Sequence, residues 1–138
     1  MKVIFEPEGK AREYSPFACN LYLSCTHKCK YCYVPNYHDV GGEETYFSVK
    51  PKPIDNVLND LEDDLKNNKL KKQIFLSFIG DVYCNAEDKN EVTRKALELF
   101  LKYNAPVAIL TKAGSRCLKD LDLFKRFGKN IMVGATLT

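Results

Sequence analysis

The sequence predicts an α/β protein built on a parallel sheet, and three observations carry this prediction. Short apolar segments of strand length alternate with segments in which apolar residues recur every three or four positions. The strand-like segments are almost wholly apolar, as expected for strands that are buried on both faces. Their order along the chain is βαβαβαβ, so successive strands should be parallel and joined by right-handed crossovers. We therefore expect about four strands and three helices in one domain, residues 1–138.

Four segments are predicted to form the strands. Residues 19–24 (CNLYLS) follow an extended N-terminal arm and run directly into a cysteine-rich segment. The second and third strands are QIFLSFIGD (73–81) and PVAILT (106–111). The fourth, NIMVGATLT (130–138), is predicted to be buried and central, because it carries no proline or charge that would block pairing.

Helical periodicity predicts the three connecting helices. Apolar residues recur at helical spacing over residues 54–65, 92–103 and 118–127. The first of these helices should end near residues 66–69 (KNNK). The third should stop at Gly128, a residue that is common just beyond helix ends.

Composition limits the function classes. A net charge of +3 is too small to indicate a nucleic-acid or membrane surface by itself. No apolar run reaches membrane-spanning length and the N-terminus lacks the apolar core of a secretion signal, so we expect a cytoplasmic protein with no membrane partner. Six cysteines in such a chain, three of them within eight residues, indicate metal or redox chemistry rather than disulfides.

The loops that follow parallel strands meet at one edge of a sheet, where α/β proteins collect their chemistry. Four segments are predicted to reach this carboxyl edge. They are the cysteine loop (residues 25–33, CTHKCKYCY), GDVYCN (80–85), TKAGSRC (111–117) and the terminal TLT (136–138).

The cysteine loop has the spacing Cys25-x3-Cys29-x2-Cys32. A closed structural zinc site needs four ligands, and the fourth would have to be His27, His38 or a distant cysteine. A 4Fe–4S cluster held by three thiolates fits the spacing better, because it leaves one iron open to a small molecule. The neighbouring lysines either offset the negative charge of the cluster or are simply exposed to solvent.

The pattern CxxxCxΦC, with Tyr31 as the aromatic residue, resembles the signature of the radical S-adenosylmethionine (SAM) superfamily. The segments EYSPFACNLYLSCTHKCKYCYVP, FLSFIGDVY and AILTKAG resemble its spore photoproduct lyase-like (DNA repair photolyase-like) branch, over residues 13–138. The resemblance implies the N-terminal part of a (β/α)6 barrel with about four strands present. It also implies a 4Fe–4S cluster that binds SAM, and reductive cleavage of SAM to a 5′-deoxyadenosyl radical. A reductant protein such as a flavodoxin or ferredoxin would be a partner, and nucleic acid is a candidate for the unknown substrate.

The resemblance implies roles for the residues of the cysteine loop. Cys25, Cys29 and Cys32 match the cluster ligands. Tyr31 matches an aromatic residue near the adenine of SAM, with packing within the loop as the alternative. Tyr33 matches a tyrosine linked with radical relay in the lyases, and an ordinary packing role stays open for it.

The resemblance also implies SAM contacts on the other strands. Gly80 and Asp81 stand where the superfamily has a Gly-Gly-Glu-like segment for the SAM amino group, although the residues here differ from that pattern. Lys112 matches a lysine used on the SAM carboxylate, and Thr136 stands where polar groups reach the ribose.

The remaining cysteines and histidines receive simpler interpretations. Cys19 lies within the first predicted strand and should be a buried apolar residue. Cys84 and Cys117 fall at the carboxyl edge, where a reactive role is open to either, and Cys84 joins Tyr33 as a candidate catalytic residue. His27 and His38 are expected to face solvent.

Two departures from the lyase branch limit the inference. Phe78 stands near the position of the cysteine that returns a hydrogen to the product radical in the lyases, so the substrate stays unknown and the resemblance does not carry DNA repair over to this chain. The family barrel has six strands, so we expect either that the native chain continues past Thr138 or that another chain covers the open edge by self-association. The alternative function is a non-catalytic or truncated iron–sulfur or zinc-binding module.

Overall fold

The computed structural model describes residues 2–36, 46, 48–67 and 71–136. In chain order, the strands are β1 (Ile4–Phe5), β2 (Phe17–Cys19), β3 (Tyr22–Leu23), β4 (Lys52–Pro53), β5 (Ile74–Leu76), β6 (Val107–Thr111) and β7 (Ile131–Ala135). The α-helices of this part of the chain are α1 (Val57–Asn67), α2 (Asn85–Asn90), α3 (Val92–Lys102) and α4 (Leu121–Phe127).

The central sheet is five-stranded, with the order β1-β2-β5-β6-β7, and it is mostly parallel. Strands β2, β5, β6 and β7 are parallel neighbours, while β1 pairs antiparallel with β2. Each parallel strand lies beside the one that precedes it, so the crossovers all step in the same direction across the sheet. The predicted α/β class and parallel sheet are therefore confirmed, and the carboxyl ends of four strands share one edge.

The prediction of one strand over residues 19–24 was wrong. Strand β2 ends at Cys19, and Tyr22–Leu23 form β3, which pairs with β4 in a separate two-stranded sheet. Asn20 explains the break, because its side-chain oxygen accepts hydrogen bonds from Ser77 Oγ (2.8 Å) and from the Phe78 backbone N–H (3.1 Å). The same contacts end β5 at Leu76, five residues before the predicted end.

The sequence of the last strand is typical of a central, buried strand, and the described sheet leaves its outer side open, in agreement with the open edge that was expected for this chain. Strand β7 pairs with β6 on one side and is an edge strand of the described sheet. Met132 is 60% exposed and Val133 is 37% exposed, because no described element packs beyond them. The apolar sequence of a strand does not say whether a neighbour is present to cover it.

The helices pack on one face of the sheet. The main core joins apolar residues of α1, α3 and α4 to alternate strand residues such as Ile74, Leu76, Val107 and Ile109. On the opposite face a small cluster of Ala18, Phe75 and Ala108 has no α-helical residue among its described members. The sheet thus has one face covered by helices and one face that they leave open.

Two of the predicted helices are confirmed as α1 and α3, with bounds close to those expected. The third begins as a 3-10 helix, Gly114–Asp120, and becomes α-helical only in α4. It ends at Gly128 as predicted, and this residue adopts a φ of 59° that favours glycine. No described helix has both the length and the apolarity needed to cross a membrane.

The short helix α2 was not predicted, because its sequence NAEDKN has no apolar periodicity. It places the fully buried Glu87 against the start of α3. The Glu87 carboxylate accepts hydrogen bonds from Tyr22 Oη, from the backbone N–H of Thr93 (2.8 Å) and from Lys119 Nζ (3.0 Å). A buried charge with these partners ties β3, α3 and the segment before α4 together.

Candidate cluster and cofactor site

The described parts of the four segments predicted to share the carboxyl edge of the sheet meet there; residues 137–138 of the last segment lie outside the described residues. The cysteine loop contacts the segment after β5 through His27 Nε2 and Asp81 Oδ2, which are 2.9 Å apart. That segment contacts the end of β6, where the Lys112 backbone N–H donates to Asp81 Oδ2 at 2.9 Å. The end of β7 joins through the Thr136 backbone N–H, which donates to the Thr111 carbonyl at 2.9 Å.

The carboxylate of Asp81 joins several of these segments through hydrogen bonds. Besides His27 and Lys112, its carboxylate accepts hydrogen bonds from the Tyr83 backbone N–H (2.9 Å) and from Thr111 Oγ1 (2.8 Å). The residue is 7% exposed. A buried carboxylate with donors from four residues is stabilised in place, so Asp81 supports the edge structurally, a role that the sequence did not predict.

His27 was expected to face solvent, and this expectation was wrong. Its side chain is only 22% exposed, and Nε2 must carry the proton because a carboxylate can only accept. No local pattern in the sequence marks this pair, because its two residues lie in segments that come together only in the fold. His38 lies outside the described residues.

Gly80 allows the segment after β5 to approach the cysteine loop. A Cβ atom at this position would lie 2.9 Å from the Ser24 carbonyl oxygen and 3.8 Å from Cys25 Cβ. The first distance is shorter than real Cβ contacts, and the atom in the way belongs to the backbone. Any larger residue at position 80 would therefore push the start of the cysteine loop away from the sheet.

The three motif cysteines are free thiols of intermediate exposure on one loop. A turn joins the last two, with the Cys32 backbone N–H donating to the Cys29 carbonyl at 3.0 Å. Burial raises the pKa of the Cys25 thiol, while the backbone N–H groups of His27 and Asp81 oppose this by hydrogen bonding to its sulfur. Within the described ranges no three His, Cys, Asp or Glu side chains are arranged as a metal site, so holding a cluster would require the loop to close.

Tyr31 and Lys112 lie in contact across the edge. Lys112 Nζ donates a hydrogen bond to Tyr31 Oη and lies 4.6 Å from the centre of the tyrosine ring. This hydrogen bond raises the pKa of the Lys112 ammonium, and the nearby Cys29 adds to the effect. Tyr31 is 61% exposed, so the pair presents an aromatic face and a cation to solvent beside the second cysteine.

Two tyrosines bind the backbone of the segment after β5. Tyr33 Oη donates to the Phe78 carbonyl at 2.8 Å, and Tyr46 Oη donates to the Ile79 carbonyl at 2.7 Å. Tyr46 also accepts, through its own carbonyl, a hydrogen bond from Ser24 Oγ at 2.8 Å, and burial raises the pKa of its hydroxyl. Tyr46 was not predicted to have a role, because it lies in a segment of the sequence without a recognisable pattern.

The three other cysteines differ in their exposure to solvent. Cys19 is fully buried as predicted, and burial raises the pKa of its thiol to about 12. Cys84 is also fully buried, with a pKa raised to about 11, chiefly by burial, which leaves its thiol protonated and out of contact with solvent. Cys117 is partly exposed, and its sulfur lies 3.4 Å from the Gly114 carbonyl oxygen.

Two cavities flank the cysteine loop. The larger, about 480 Å³, lies on the open face of the sheet and is lined mainly by Tyr14, Tyr33, Phe75, Phe78 and Leu110. The smaller, about 400 Å³, lies beside Cys25 and is lined by Thr26, Lys28, Ser48, Val49, Lys50, Pro51 and Asn85.

Comparison with known proteins adds one relative. No protein-family model matches the sequence, and no solved structure matches it. The chain is 33% identical over 124 residues to an uncharacterized protein of Methanocaldococcus jannaschii. The match covers 88% of this chain but 44% of the relative, so the chain spans less than half of the relative's length.

Proposed function

We propose that the chain is part of a radical SAM enzyme core, of the spore photoproduct lyase-like branch, that binds a 4Fe–4S cluster and SAM at the carboxyl edge of the sheet. The observation that carries this proposal is the place of the three-cysteine loop, hydrogen-bonded through His27 to Asp81 and so to the ends of β5 and β6. The substrate is unknown, and nucleic acid remains a candidate.

The order of the strands supports a partial barrel. A doubly wound sheet reverses its strand order and carries helices on both faces. Here β2, β5, β6 and β7 follow chain order without reversal, and α1, α3 and α4 pack on one face. This order is compatible with part of a (β/α) barrel, in which the open face of the sheet would be the barrel interior.

The donor chemistry of the loop fits a cluster. Cys25, Cys29 and Cys32 would be its ligands, because all three are free thiols on one loop and thiolates are the usual ligands of iron–sulfur clusters. When bound, a 4Fe–4S cluster with one open iron supplies the electron that cleaves SAM. The loop is anchored at both ends, by Ser24 to Tyr46 and by Tyr33 to Phe78, so its closure would be local.

The contact between Tyr31 and Lys112 supplies the two groups proposed to bind SAM. The Lys112 ammonium would pair with the SAM carboxylate, and the exposed Tyr31 ring would pack against the adenine. Thr136 would be near the ribose, since its backbone is bound to Thr111. The larger cavity, next to Tyr33, has the size of a small-molecule site and would receive the substrate.

The test is SAM cleavage by the anaerobically reconstituted, dithionite-reduced protein. We expect 5′-deoxyadenosine to form and SAM to change the electron paramagnetic resonance (EPR) spectrum of the reduced cluster. Lys112→Ala should weaken SAM binding by about tenfold or more, through loss of a charge-assisted contact, whereas Lys125→Ala on α4 should not. A stable cluster whose spectrum ignores SAM would favour the non-catalytic iron–sulfur module.

A further inference from the structure

A basic surface lies beside the first motif cysteine. Lys28 and Lys50 line the cavity next to Cys25, and among the described residues that line it no carboxylate is present. Lys52 extends the surface along β4. In the described part of the chain none of these three lysines is joined to a carboxylate by an ion pair.

Exposed apolar side chains accompany these charges. Val49, in the wall of the same cavity, is 41% exposed. Leu23 is 38% exposed and pairs with Lys52 across β3 and β4, so the two side chains lie on the same face of that small sheet. Aliphatic side chains among lysines give this surface both kinds of group that protein interfaces combine.

We infer that this surface, formed by Leu23, Lys28, Val49, Lys50 and Lys52, is the docking site of an acidic one-electron carrier protein of the flavodoxin or ferredoxin type. The inference rests on the proposed function, which requires one electron for each SAM cleaved. The carrier is oxidised by one electron and the cluster held by the cysteine loop is reduced by one electron. Docking here brings the carrier's redox group to the side of the loop on which the cavity reaches Cys25.

The charge of this surface favours an acidic partner, and the electron required by the proposed function makes that partner an electron carrier. Complexes between electron-transfer proteins have small interfaces and short lifetimes, and opposite charges on the two proteins speed their association. Nucleic acid also favours lysines, but the exposed apolar residues of this surface are aliphatic, and its described members include no aromatic ring on which a base would stack. The aromatic residues line the other cavity instead.

The test measures binding and reduction separately, with a purified acidic flavodoxin as the probe. The surface variant is Lys50→Glu with Lys52→Glu, which leaves the cysteine loop untouched. The matched control is Lys125→Glu with Lys129→Glu, the same change of charge at exposed sites on and after α4. The dissociation constant is measured at low and high salt, with and without the cluster, and the reduction of the cluster is followed with flavodoxin and with dithionite.

We expect the surface variant to bind flavodoxin about tenfold more weakly at low salt and to be reduced by it about tenfold more slowly. Its iron content and its reduction by dithionite should equal those of the wild type. The inference is overturned if both variants weaken flavodoxin binding equally, if neither does, or if the surface variant loses only affinity for a short DNA oligonucleotide. If the wild-type protein binds no iron, the proposed function is contradicted instead. The docking site would still be tested by the dissociation constants for flavodoxin measured without the cluster.

Discussion

His27 Nε2 donates a hydrogen bond to the Asp81 carboxylate at 2.9 Å, although 54 residues separate the two in sequence. The pair joins the cysteine loop to the segment after β5. Because Asp81 also binds Thr111 and the backbone of Lys112, one buried carboxylate holds the loop against the ends of two strands. The position of the motif cysteines therefore depends on a contact that no local pattern reveals.

Replacing Asp81 should cost more stability than replacing His27. His27→Ala removes one partly buried hydrogen bond and should lower the free energy of unfolding by about 1–2 kcal/mol. Asp81→Asn replaces one of the two acceptor oxygens by an NH2 group, which can only donate, so the buried donors that faced this oxygen lose their partner and the free energy of unfolding should fall by about 3 kcal/mol or more. Urea unfolding of the cluster-free protein measures both. If Asp81→Asn lowers the free energy of unfolding no more than His27→Ala does, Asp81 does not hold these segments together.

Gly80→Ala should displace the cysteine loop, because the new Cβ would lie 2.9 Å from the Ser24 carbonyl oxygen. We expect a loss of about 1–3 kcal/mol in the free energy of unfolding and a lower iron content after reconstitution. Gly134→Ala is the control, since its Cβ would meet the flexible end of Leu110 at 3.1 Å and that side chain can move. Equal effects of the two substitutions would mean that the approach of Gly80 to Ser24 does not position the loop.

Stability should fall as the pH rises through the titration of Cys84. Its pKa is raised from 9.0 to about 11, so the folded protein holds the thiol proton more tightly than the unfolded chain. The resulting stabilisation is complete below about pH 9 and is lost as the pH rises to about 11. The free energy of unfolding of the cluster-free protein, measured from pH 8 upward, should therefore decline less steeply in Cys84→Ala. An identical pH dependence in both proteins would contradict the raised pKa.

The edge strand β7 should cause self-association of the 138-residue chain. Met132 and Val133 are exposed there, and one side of the strand has unpaired backbone groups in the described sheet. Val133→Lys should shift the chain toward monomer in sedimentation, because a charge on an edge strand opposes pairing. Leu118→Lys is the control, since this apolar residue is 57% exposed but lies in the 3-10 helix before α4 and not in β7; it should leave association unchanged. A wild-type chain that sediments as a clean monomer would show that the edge is protected.

The sequence predicted the parts of the fold that periodicity and strand composition determine. Helices α1 and α3 follow from their apolar spacing, and the shared carboxyl edge follows from the parallel order. The break at Asn20 was missed because the groups that bind its side chain, Ser77 and Phe78, are more than fifty residues away. The open edge at β7 was expected, because the sequence of this strand is typical of a central strand, but the sequence alone does not show what covers that edge.

The residues of the candidate site were also predicted only in part from the sequence. The three cysteines, Tyr31 and Lys112 were proposed from the sequence as candidates, and the structure places Tyr31 and Lys112, two of the proposed SAM-binding residues, in contact. His27 and Tyr46 were not, because their roles depend on partners supplied by the segment after β5. Long-range hydrogen bonds of this kind leave no periodic signal in a single sequence.

The most direct test of the central claim is the iron and sulfide content of the anaerobically reconstituted chain. We expect about four irons and four sulfides per chain. Serine at Cys25, Cys29 or Cys32 should abolish this, because a hydroxyl is a poor ligand for cluster iron, while Cys117→Ser should retain the wild-type content. Retention of iron in the three motif variants, or an equal requirement for Cys117, would contradict a cluster held by these three cysteines.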